Sequence, residues 1–574
     1  MLITLVCLSL LVVQTTVCNS VHNSAQCVVQ FTGDDNVGVG VLKTTLTNTS
    51  FCEYRGVRYG ETTAGERRFR SPVAYFPKGR ENYTALGNIC PQLDDINYPT
   101  KVLGDEDCLN MNIFSPAMEA DRRSGKSYPV LVFIHGGSFT IGSNVFDSDR
   151  ADLLIDNGIL VVSINYRLDV LGFLHYPKFN ISGNNGLKDQ LAALRWINQH
   201  IRFFGGDPSK ITLMGQSSGA ASVNYHMYSE QSKKLFQQAA ILSGSFLAPW
   251  AFCYDFEKNA EYYFRHLGVS TREELVQRDF KDFFFLNATS RLFGMVFASM
   301  QFPSFVPTFE SPTSSDAFLT AAPHDLFANK PIHDIPLLVG HTSTEFELLL
   351  NYVQDYSSWD ENFPNQRNKT LLLYIESFLR AMADHTQEVA LVKDRFEFFR
   401  KIANLANVDF PIEHFLEHIA QKGQSAPVFM YRFEFDGKFG HYKNVFYRKR
   451  VDRTRYGAIH GDDLGYIFSS YNVDQALERR DEFQGEWMIH EQMAKMVSRF
   501  VKFGNPSSKD VDWRPYNSSS GEKYYLNINH TFVLKTKSNN ETYYYEFWKN
   551  IYNCYYYYQC SLFEPLDLST NSVK

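Results

Sequence analysis

Three apolar runs constrain the fold of this chain more than any other feature. They lie in residues 130–139 (VLVFIHGGSF), 160–168 (LVVSINYRL) and 211–215 (ITLMG). Unbroken apolar runs are typical of strands buried on both faces, whereas strands with one wet face alternate apolar and polar residues. Between the second and third runs, residues 186–203 repeat leucine and isoleucine at steps of three and four, which predicts an amphipathic helix. The order strand, helix, strand indicates a parallel sheet covered by helices.

The remaining segments fit around this sheet. Residues 335–340 and 428–435 are apolar and predict two further strands, while residues 27–59 alternate and predict two or three antiparallel strands. Helical insertions are expected over residues 250–330 and 350–420. Because no fixed repeat or low-complexity linker divides the chain, we predict one large α/β domain.

The two ends of the chain differ from this domain. Residues 1–20 carry an apolar run over residues 2–13 followed by small and polar residues, which predicts a secretory signal peptide cleaved near residues 18–20. That run is too short to span a membrane, and no later run reaches eighteen consecutive apolar residues. We therefore predict a secreted protein without a membrane span, with the domain over residues 21–550 and an aromatic, cysteine-containing extension over residues 551–574.

The net charge, the cysteines and the glycosylation sequons lead to further expectations about partners and modifications. The formal net charge of −7 argues against a nucleic-acid partner. Seven cysteines remain after the signal peptide, an odd number that leaves one thiol free or available to join two copies through a C-terminal cysteine. Their spacings do not resemble zinc-ligand pairs, so we expect no metal. Sequons for N-glycosylation occur at Asn48, Asn82, Asn180, Asn287, Asn368, Asn517, Asn529 and Asn540.

A G-x-S-x-G motif directly follows the third apolar run. Gly215, Ser217 and Gly219 supply its fixed positions, and small residues that can begin a helix come next. A serine on such a sharp strand-to-helix turn needs small neighbours, since a side chain at either glycine would collide with the adjoining strand or helix. The motif predicts a nucleophile elbow, although a plain strand-turn-helix connection also fits it.

A nucleophilic serine needs a general base, and the base needs an acid to orient it. Glu345 follows the strand predicted at residues 335–340, and His460 lies between two glycines in GAIHGDD. The order serine, acid, histidine is the one found in α/β-hydrolases. The sequence also allows other candidates: His441 or His324 as the base, and Glu347 or Asp325 as the acid.

The motif HGGSF over residues 135–139 offers a site for a developing negative charge. Small residues after a buried strand allow several backbone N–H groups to point at one position, as an oxyanion hole requires. The candidate donors are Gly137, Ser138 and Ser218. A simple glycine turn is the structural alternative.

With these motifs in view, the chain resembles the carboxylesterase and cholinesterase family of α/β-hydrolases, including secreted insect carboxylesterases and juvenile hormone esterases. Residues 106–114 (EDCLNMNIF) and 183–220 carry the resemblance most clearly. It implies an α/β-hydrolase fold: a large, mostly parallel central sheet flanked by helices, with N-terminal antiparallel strands and helical insertions. It also implies roles for six residues: nucleophile Ser217, acid Glu345, general base His460, and oxyanion donors Gly137, Ser138 and Ser218.

The resemblance implies further features. Ser243 would support the acid, Trp250 would line the acyl side of the substrate pocket, and Cys90 would pair with Cys108. No cofactor is required. Cys27 with Cys52 and Cys554 with Cys560 remain candidate pairs, and Cys253 has no assigned partner. Three positions depart from the family pattern, which usually has small residues there: Ser138, Ser218 and Phe346.

These observations favour a secreted serine carboxylic ester hydrolase acting on small apolar esters. The loop between Cys90 and Cys108 contains no tryptophan, whereas cholinesterases carry one there that stacks on the choline ammonium, so choline esters are not the expected substrates. The elbow GQSSG is similar to the GQSAG of juvenile hormone esterases, and a hormone, pheromone or odorant ester would fit. From another class, the family includes non-catalytic adhesion or binding proteins that keep the fold.

Overall fold

The computed structural model describes most of the chain between its two ends. The described residues are 27–33, 35–94, 98–145, 150–284, 305–345, 404–446, 457–469, 473, 476–516, 522–537, 549 and 552. The predicted signal peptide, Phe346, Glu347, Cys554 and Cys560 lie outside them, as do the sequons at Asn287, Asn368, Asn517 and Asn540. The predicted domain boundaries and pairing of two copies through a C-terminal cysteine therefore stay predictions.

The described strands form one large sheet and two small ones. Their bounds are β1 Val28–Gln30, β2 Val37–Val39, β3 Val41–Thr44, β4 Ser50–Arg58, β5 Arg80–Asn82, β6 Gln92–Asp94, β7 Tyr98–Leu103, β8 Asn110–Ser115, β9 Tyr128–Ile134, β10 Leu160–Ile164, β11 Gly206–Gln216, β12 Gln238–Leu242, β13 Leu337–Thr342, β14 Val428–Phe433, β15 Tyr524–Ile528 and β16 Phe532–Thr536. The large sheet has eleven strands in the order β16-β15-β14-β13-β12-β11-β9-β10-β8-β4-β3.

Seven neighbouring strands of this sheet run parallel, in the order β15-β14-β13-β12-β11-β9-β10. Antiparallel strands lie at both edges: β16 beside β15, and β8, β4 and β3 beside β10. The five apolar runs all become parallel strands of this sheet, so the predicted α/β class is confirmed. The N-terminal segment forms four strands rather than the two or three expected. The chain leaves the small β1-β2-β5 sheet at Gly40, where a Cβ would lie 2.5 Å from the Glu53 carbonyl oxygen, and this close approach separates β2 from β3.

Helices cover both faces of the large sheet. The described α-helices are α1 Glu119–Ser124, α2 Asp152–Asp156, α3 Asp169–Phe173, α4 Asn185–His200, α5 Ser218–Met227, α6 Phe256–Leu267, α7 Arg272–Gln277, α8 Pro323–Asn329, α9 Phe410–Gln421, α10 His441–Phe446, α11 Leu464–Ile467 and α12 Gln484–Phe503. The helix predicted over residues 186–203 is α4, and a 3₁₀ turn, Ile201–Phe204, follows it directly. The described helices within the expected insertions are α6, α7, α8 and α9.

Alternate side chains of the central strands enter two separate cores. On β9, Val130 and Val132 pack with α4 residues such as Leu194, while Leu131 packs on the other face with α12 residues such as Val497. Burying each such side chain contributes about 1.5–3 kcal/mol. The unbroken apolar runs are thus explained, because both faces of each strand are dry.

Two disulfides tie the N-terminal strands to this body. They join Cys27 to Cys52 and Cys90 to Cys108, as the sequence analysis suggested. Cys253 is buried and forms no disulfide in the described part of the chain. From the C-terminal extension, Tyr552 packs on Phe410 and its hydroxyl donates to the carbonyl of Ala406.

The helices of the described residues do not have the length and hydrophobicity of a membrane span. Within that part of the chain, every helix is either too short or too polar to cross a bilayer.

Candidate active site

Ser217 occupies a strained turn between β11 and α5. Its φ of 57° and ψ of −122° are unusual for a residue with a side chain and match the geometry of a nucleophile elbow. The flanking glycines are sterically required. A Cβ on Gly215 would lie 2.2 Å from the carbonyl oxygen of Gly219, and a Cβ on Gly219 would lie 2.1 Å from that of Ile134. The Ser217 N–H donates to the carbonyl of Leu242, the last residue of β12, at 2.8 Å, and this hydrogen bond attaches the turn to the sheet.

Two loops at the carboxyl end of the sheet bring Glu345 and His460 together. The Thr344 N–H donates to the Ala458 carbonyl at 3.0 Å, so the two loops run side by side. His460 Nδ1 then lies 2.5 Å from Glu345 Oε2. Because β13 places Glu345 next to the end of β12, the pair reaches the same sheet edge as Ser217. This edge is where ligands bind in α/β folds.

Glu345 is fully enclosed and its second oxygen is also bound. Oε1 accepts from the Ser243 hydroxyl at 2.7 Å and from the Thr342 N–H at 2.6 Å. Burial pushes the pKa of Glu345 upward, but the electrostatic attraction and hydrogen bond of His460, together with the hydrogen bond from the Thr342 N–H, outweigh burial, so its pKa is lowered from 4.5. The acid is therefore ionised at neutral pH and can orient the imidazole. The structure places Ser243 where the resemblance implied, in contact with the acid.

Gln216 contacts the second ring nitrogen of His460, Nε2. The side-chain amide nitrogen of Gln216 lies 3.1 Å from His460 Nε2, and Ser217 makes no hydrogen bond to that nitrogen in the described structure. The Glu345 contact assigns the proton to Nδ1, which leaves the lone pair on Nε2, the tautomer a general base needs. Catalytic hydrogen bonds often form only once substrate is bound, so the Gln216 contact does not exclude His460 as the base for Ser217.

The competing candidates occupy other positions. His324 lies on α8 beside Asp325, at 3.3 Å, and faces the Tyr254 hydroxyl. His441 begins α10. The structure thus joins Glu345 to His460 and joins Asp325 to a different histidine.

The HGGSF segment turns sharply beside the elbow. Gly137, Ser138 and Phe139 have φ values of 104°, 60° and 63°, and the N–H groups of Thr140 and Ile141 both donate to the Gly137 carbonyl at 3.0 Å. A Cβ on Gly136 would lie 2.9 Å from Ser217 Cβ, which shows how near this turn comes to the nucleophile.

The three predicted oxyanion donors lie on the turn beside the elbow and at the start of α5. In the part of the chain that the structure describes, the N–H groups of Gly137 and Ser138 donate to no backbone carbonyl, and Ser218 is the first residue of α5, where N–H groups have no partner within the helix. Ser138 keeps its N–H although it stands where the family usually has glycine or alanine, and its left-handed conformation costs roughly 1 kcal/mol. A tetrahedral oxygen bonded to Ser217 would find these donors nearby.

Trp250 and the sequons are also located. Trp250 is buried and its indole N–H donates to the Asn407 carbonyl at 3.1 Å; its contact with substrate stays a prediction. Of the sequons in the described residues, Asn48, Asn82 and Asn180 are exposed and Asn529 is half-buried.

The sequence analysis did not identify the residues that hold the His460 loop. Asp462 accepts from the Ile459 N–H at 2.9 Å, and Asp463 accepts from the Tyr431 hydroxyl at 2.6 Å. Burial raises the pKa of Asp462 to about 7 and that of Asp463 to about 6. The only signal was a pair of adjacent acids beginning two residues after His460, and an exposed acidic pair has the same sequence pattern.

In the residues that the structure describes, no group of three or more histidine, cysteine or carboxylate side chains is arranged to hold a metal ion.

Comparison with known proteins places this site in a family. The sequence model of the Carboxylesterase family matches residues 39–548, which is most of the chain. The chain belongs to the carboxylesterase family. The fold class and the family suggested by the sequence motifs are both confirmed, and the chain is a carboxylic ester hydrolase.

Individual relatives of this carboxylesterase are insect enzymes. Esterase E4 of Myzus persicae is 29% identical over 508 residues, covering 84% of this chain and 88% of that protein. A juvenile hormone esterase of Heliothis virescens is 28% identical and covers 80% and 83%. The structure of juvenile hormone esterase from Manduca sexta superposes with a TM-score of 0.74 at 24% identity, covering 92% of this chain and 100% of that one, and supports the fold.

Proposed function

We propose that this carboxylesterase is a secreted serine hydrolase of small apolar carboxylic esters that acts through Ser217, His460 and Glu345. The observation that carries the proposal is the buried Glu345–His460 pair, with an Nδ1 to Oε2 distance of 2.5 Å, at the sheet edge where the strained Ser217 elbow projects. The sharp turn has the geometry of a nucleophile elbow, and the paired imidazole supplies the base that a serine hydroxyl needs at neutral pH.

In the acylation step, His460 Nε2 accepts the Ser217 proton while Oγ forms a bond to the ester carbonyl carbon. The N–H groups of Gly137, Ser138 and Ser218 stabilise the negative oxygen of the tetrahedral intermediate. The carbon–oxygen bond to the alcohol then breaks, and His460 returns the proton to the departing oxygen. Water repeats the sequence on the acyl-enzyme and releases the carboxylic acid and free Ser217.

The proposed substrate class rests on the names of similar proteins and on two sequence features. Juvenile hormone is a candidate because relatives named juvenile hormone esterase match most of the chain and because Gln216 precedes the nucleophile, as in those enzymes. Pheromone and odorant esters are alternatives of the same chemistry. A small-molecule ester is the expected partner, and the absence of tryptophan between Cys90 and Cys108 argues against choline esters.

The activity is tested on purified secreted protein with 4-nitrophenyl acetate, juvenile hormone and acetylcholine. We expect turnover of the aryl ester and little of the choline ester, together with stoichiometric inhibition by diethyl 4-nitrophenyl phosphate and a phosphoryl adduct on the Ser217 peptide. A folded protein that shows neither turnover nor adduct would contradict the proposal and favour a non-catalytic adhesion or binding role.

Export and glycosylation form the second part of the proposal. Asn48, Asn82 and Asn180 are exposed on the described surface, and the Thr84 hydroxyl of one sequon donates to Asn82 Oδ1 at 2.8 Å. Protein secreted from insect cells is expected to begin near residues 19–21, and enzymatic deglycosylation should convert these asparagines to aspartates. Thr84→Ala should abolish the conversion at Asn82 alone. A secreted chain that retained residues 1–20, or that showed no conversion at any sequon, would contradict this part.

A further inference from the structure

Gln92 joins two segments that are far apart in sequence. It begins β6 in the loop closed by the Cys90–Cys108 disulfide, and its buried side chain reaches the far end of the segment we call the oxyanion turn, residues 136–142. Its Oε1 accepts from the Gly142 N–H at 2.8 Å. Its Nε2 donates to the carbonyls of Gly142 at 2.9 Å and Cys90 at 3.0 Å. One amide therefore binds both backbone groups of Gly142.

Gly142, at the end of the oxyanion turn, packs closely against the residues at its beginning. Its φ is 111°, and a Cβ there would lie 2.5 Å from the Gly136 carbonyl oxygen and 2.4 Å from His135 Nδ1. The end of the turn thus packs directly on its beginning. A displacement of Gly142 toward Gly136 would therefore push on Gly136 and the donors that follow it, and a displacement away from Gly136 would remove this packing contact.

The oxyanion turn also needs external support. Gly137, Ser138, Phe139 and Gly142 all have positive φ values, and two of these residues carry side chains. Such conformations are sparsely populated on their own and persist where the surroundings over-determine them. The buried Gln92 amide, which satisfies both the N–H and the carbonyl of half-buried Gly142, is a contact of that kind, because a polar group shielded from water is destabilising when it is left unpaired.

A second set of amides reinforces the same attachment. The Asn144 N–H, two residues beyond the turn, donates to Asn165 Oδ1 at 2.7 Å. Asn165 Nδ2 and Asn110 Nδ2 both donate to the carbonyl of Asn88, at 3.0 Å and 2.8 Å. Asn88 lies two residues before Cys90, so the segment that leads into the disulfide-closed loop is connected to the exit of the oxyanion turn by hydrogen bonds separate from those of Gln92.

We propose that Gln92 is a positioning residue that aims the backbone N–H groups of Gly137 and Ser138 at the reacting oxygen by clamping Gly142. This inference rests on the proposed function, since it assigns those N–H groups to the oxyanion hole. Gln92 does not touch the substrate. Its loss should therefore weaken binding of the tetrahedral transition state while leaving ground-state binding of the ester almost unchanged.

The test compares Gln92→Met, which keeps the length of the side chain without polar atoms, with Gln92→Glu. The carboxylate of Gln92→Glu can still accept from Gly142 but meets the carbonyls of Gly142 and Cys90 without a proton to donate. Gln237→Met is the matched control, because Gln237 Oε1 accepts from the Ile211 N–H at 2.8 Å and Nε2 donates to the Lys234 carbonyl, away from the oxyanion turn. Rates are expressed per organophosphate-titrated site, so unfolded protein does not count.

We expect both Gln92 variants to lose about 10–100-fold in kcat with KM within about twofold, since removal of one whole donor costs about 10²–10³-fold. The affinity for an aryl trifluoromethyl ketone, which forms a tetrahedral adduct with the serine, should fall in parallel. Gln237→Met should change neither quantity. Unchanged kcat and ketone affinity per titrated site in either Gln92 variant, with only a lower unfolding temperature, would overturn the proposal. An inactive wild-type protein would instead refute the proposed function.

Discussion

Replacing Ser217 with alanine is expected to lower kcat by about 10⁴–10⁶-fold, because the variant lacks the atom that forms the acyl-enzyme bond. The residual rate would come from the oxyanion N–H groups and substrate binding alone. The fold should be unaffected, since alanine fits the space of serine and the Ser217 N–H keeps its bond to the Leu242 carbonyl. Steady-state hydrolysis of 4-nitrophenyl acetate, with the unfolding temperature measured on the same sample, checks the result.

A serine elsewhere on the same strand provides the control. Ser209 is exposed near the start of β11, where its hydroxyl bonds to Asp207, so Ser209→Ala should retain full activity. A Ser217→Ala protein that kept more than about one hundredth of the wild-type kcat would exclude Ser217 as the nucleophile, because single triad substitutions in serine hydrolases cost far more.

Replacing Glu345 with glutamine is expected to lower kcat by about 10⁴-fold at neutral pH. The amide can present an N–H toward His460 Nδ1 and so favours the tautomer with the proton on Nε2, which cannot accept the Ser217 proton. The variant keeps the shape of the side chain and an oxygen for the Ser243 and Thr342 donors. Measured kcat and kcat/KM should fall together, since the contact matters chiefly in the transition state.

A substitution of a second buried acid, Glu310, is the control that separates a loss of catalysis from a loss of stability. Glu310 is as enclosed as Glu345 and pairs with Lys188 at 2.7 Å, so Glu310→Gln should lower the unfolding temperature without a comparable loss of kcat. Equal kcat losses in the two variants would contradict the assignment of Glu345 as the acid that orients His460.

The lowered pKa of Glu345 adds a pH dependence to this comparison. Burial raises the pKa, but the His460 charge and the hydrogen bonds bring it below 4.5, so the folded state binds its proton less readily than the unfolded state does. The associated stability is present above the unfolded pKa and is lost as pH falls through the folded value. The difference in free energy of unfolding between wild type and Glu345→Gln should therefore shrink below about pH 4.5.

Much of the fold was predictable from short stretches of sequence. The run at residues 130–139 predicted a doubly buried strand, and β9 indeed sends Val130 and Leu131 into different cores. The motif around Ser217 predicted its turn, since the glycines on both sides are required by contacts within a few residues of the elbow or with the adjacent strand. The division of residues 27–59 into four strands was not predictable, because Gly40 is required by an approach from Glu53 on another strand.

The sequence by itself determined the elements and the local turns: which segments are buried strands, where α4 lies, and that Ser217 stands at a tight turn. These properties depend on side-chain pattern and on backbone conformations that few residues allow. Only the tertiary structure decided which distant residues meet. The order of β12, β13 and β14 brings Glu345 rather than Asp325 to His460. The packing of the Cys90–Cys108 loop against the segment after β9 brings Gln92 to Gly142. Contacts between such remote segments depend on how the segments are arranged and not on any local pattern.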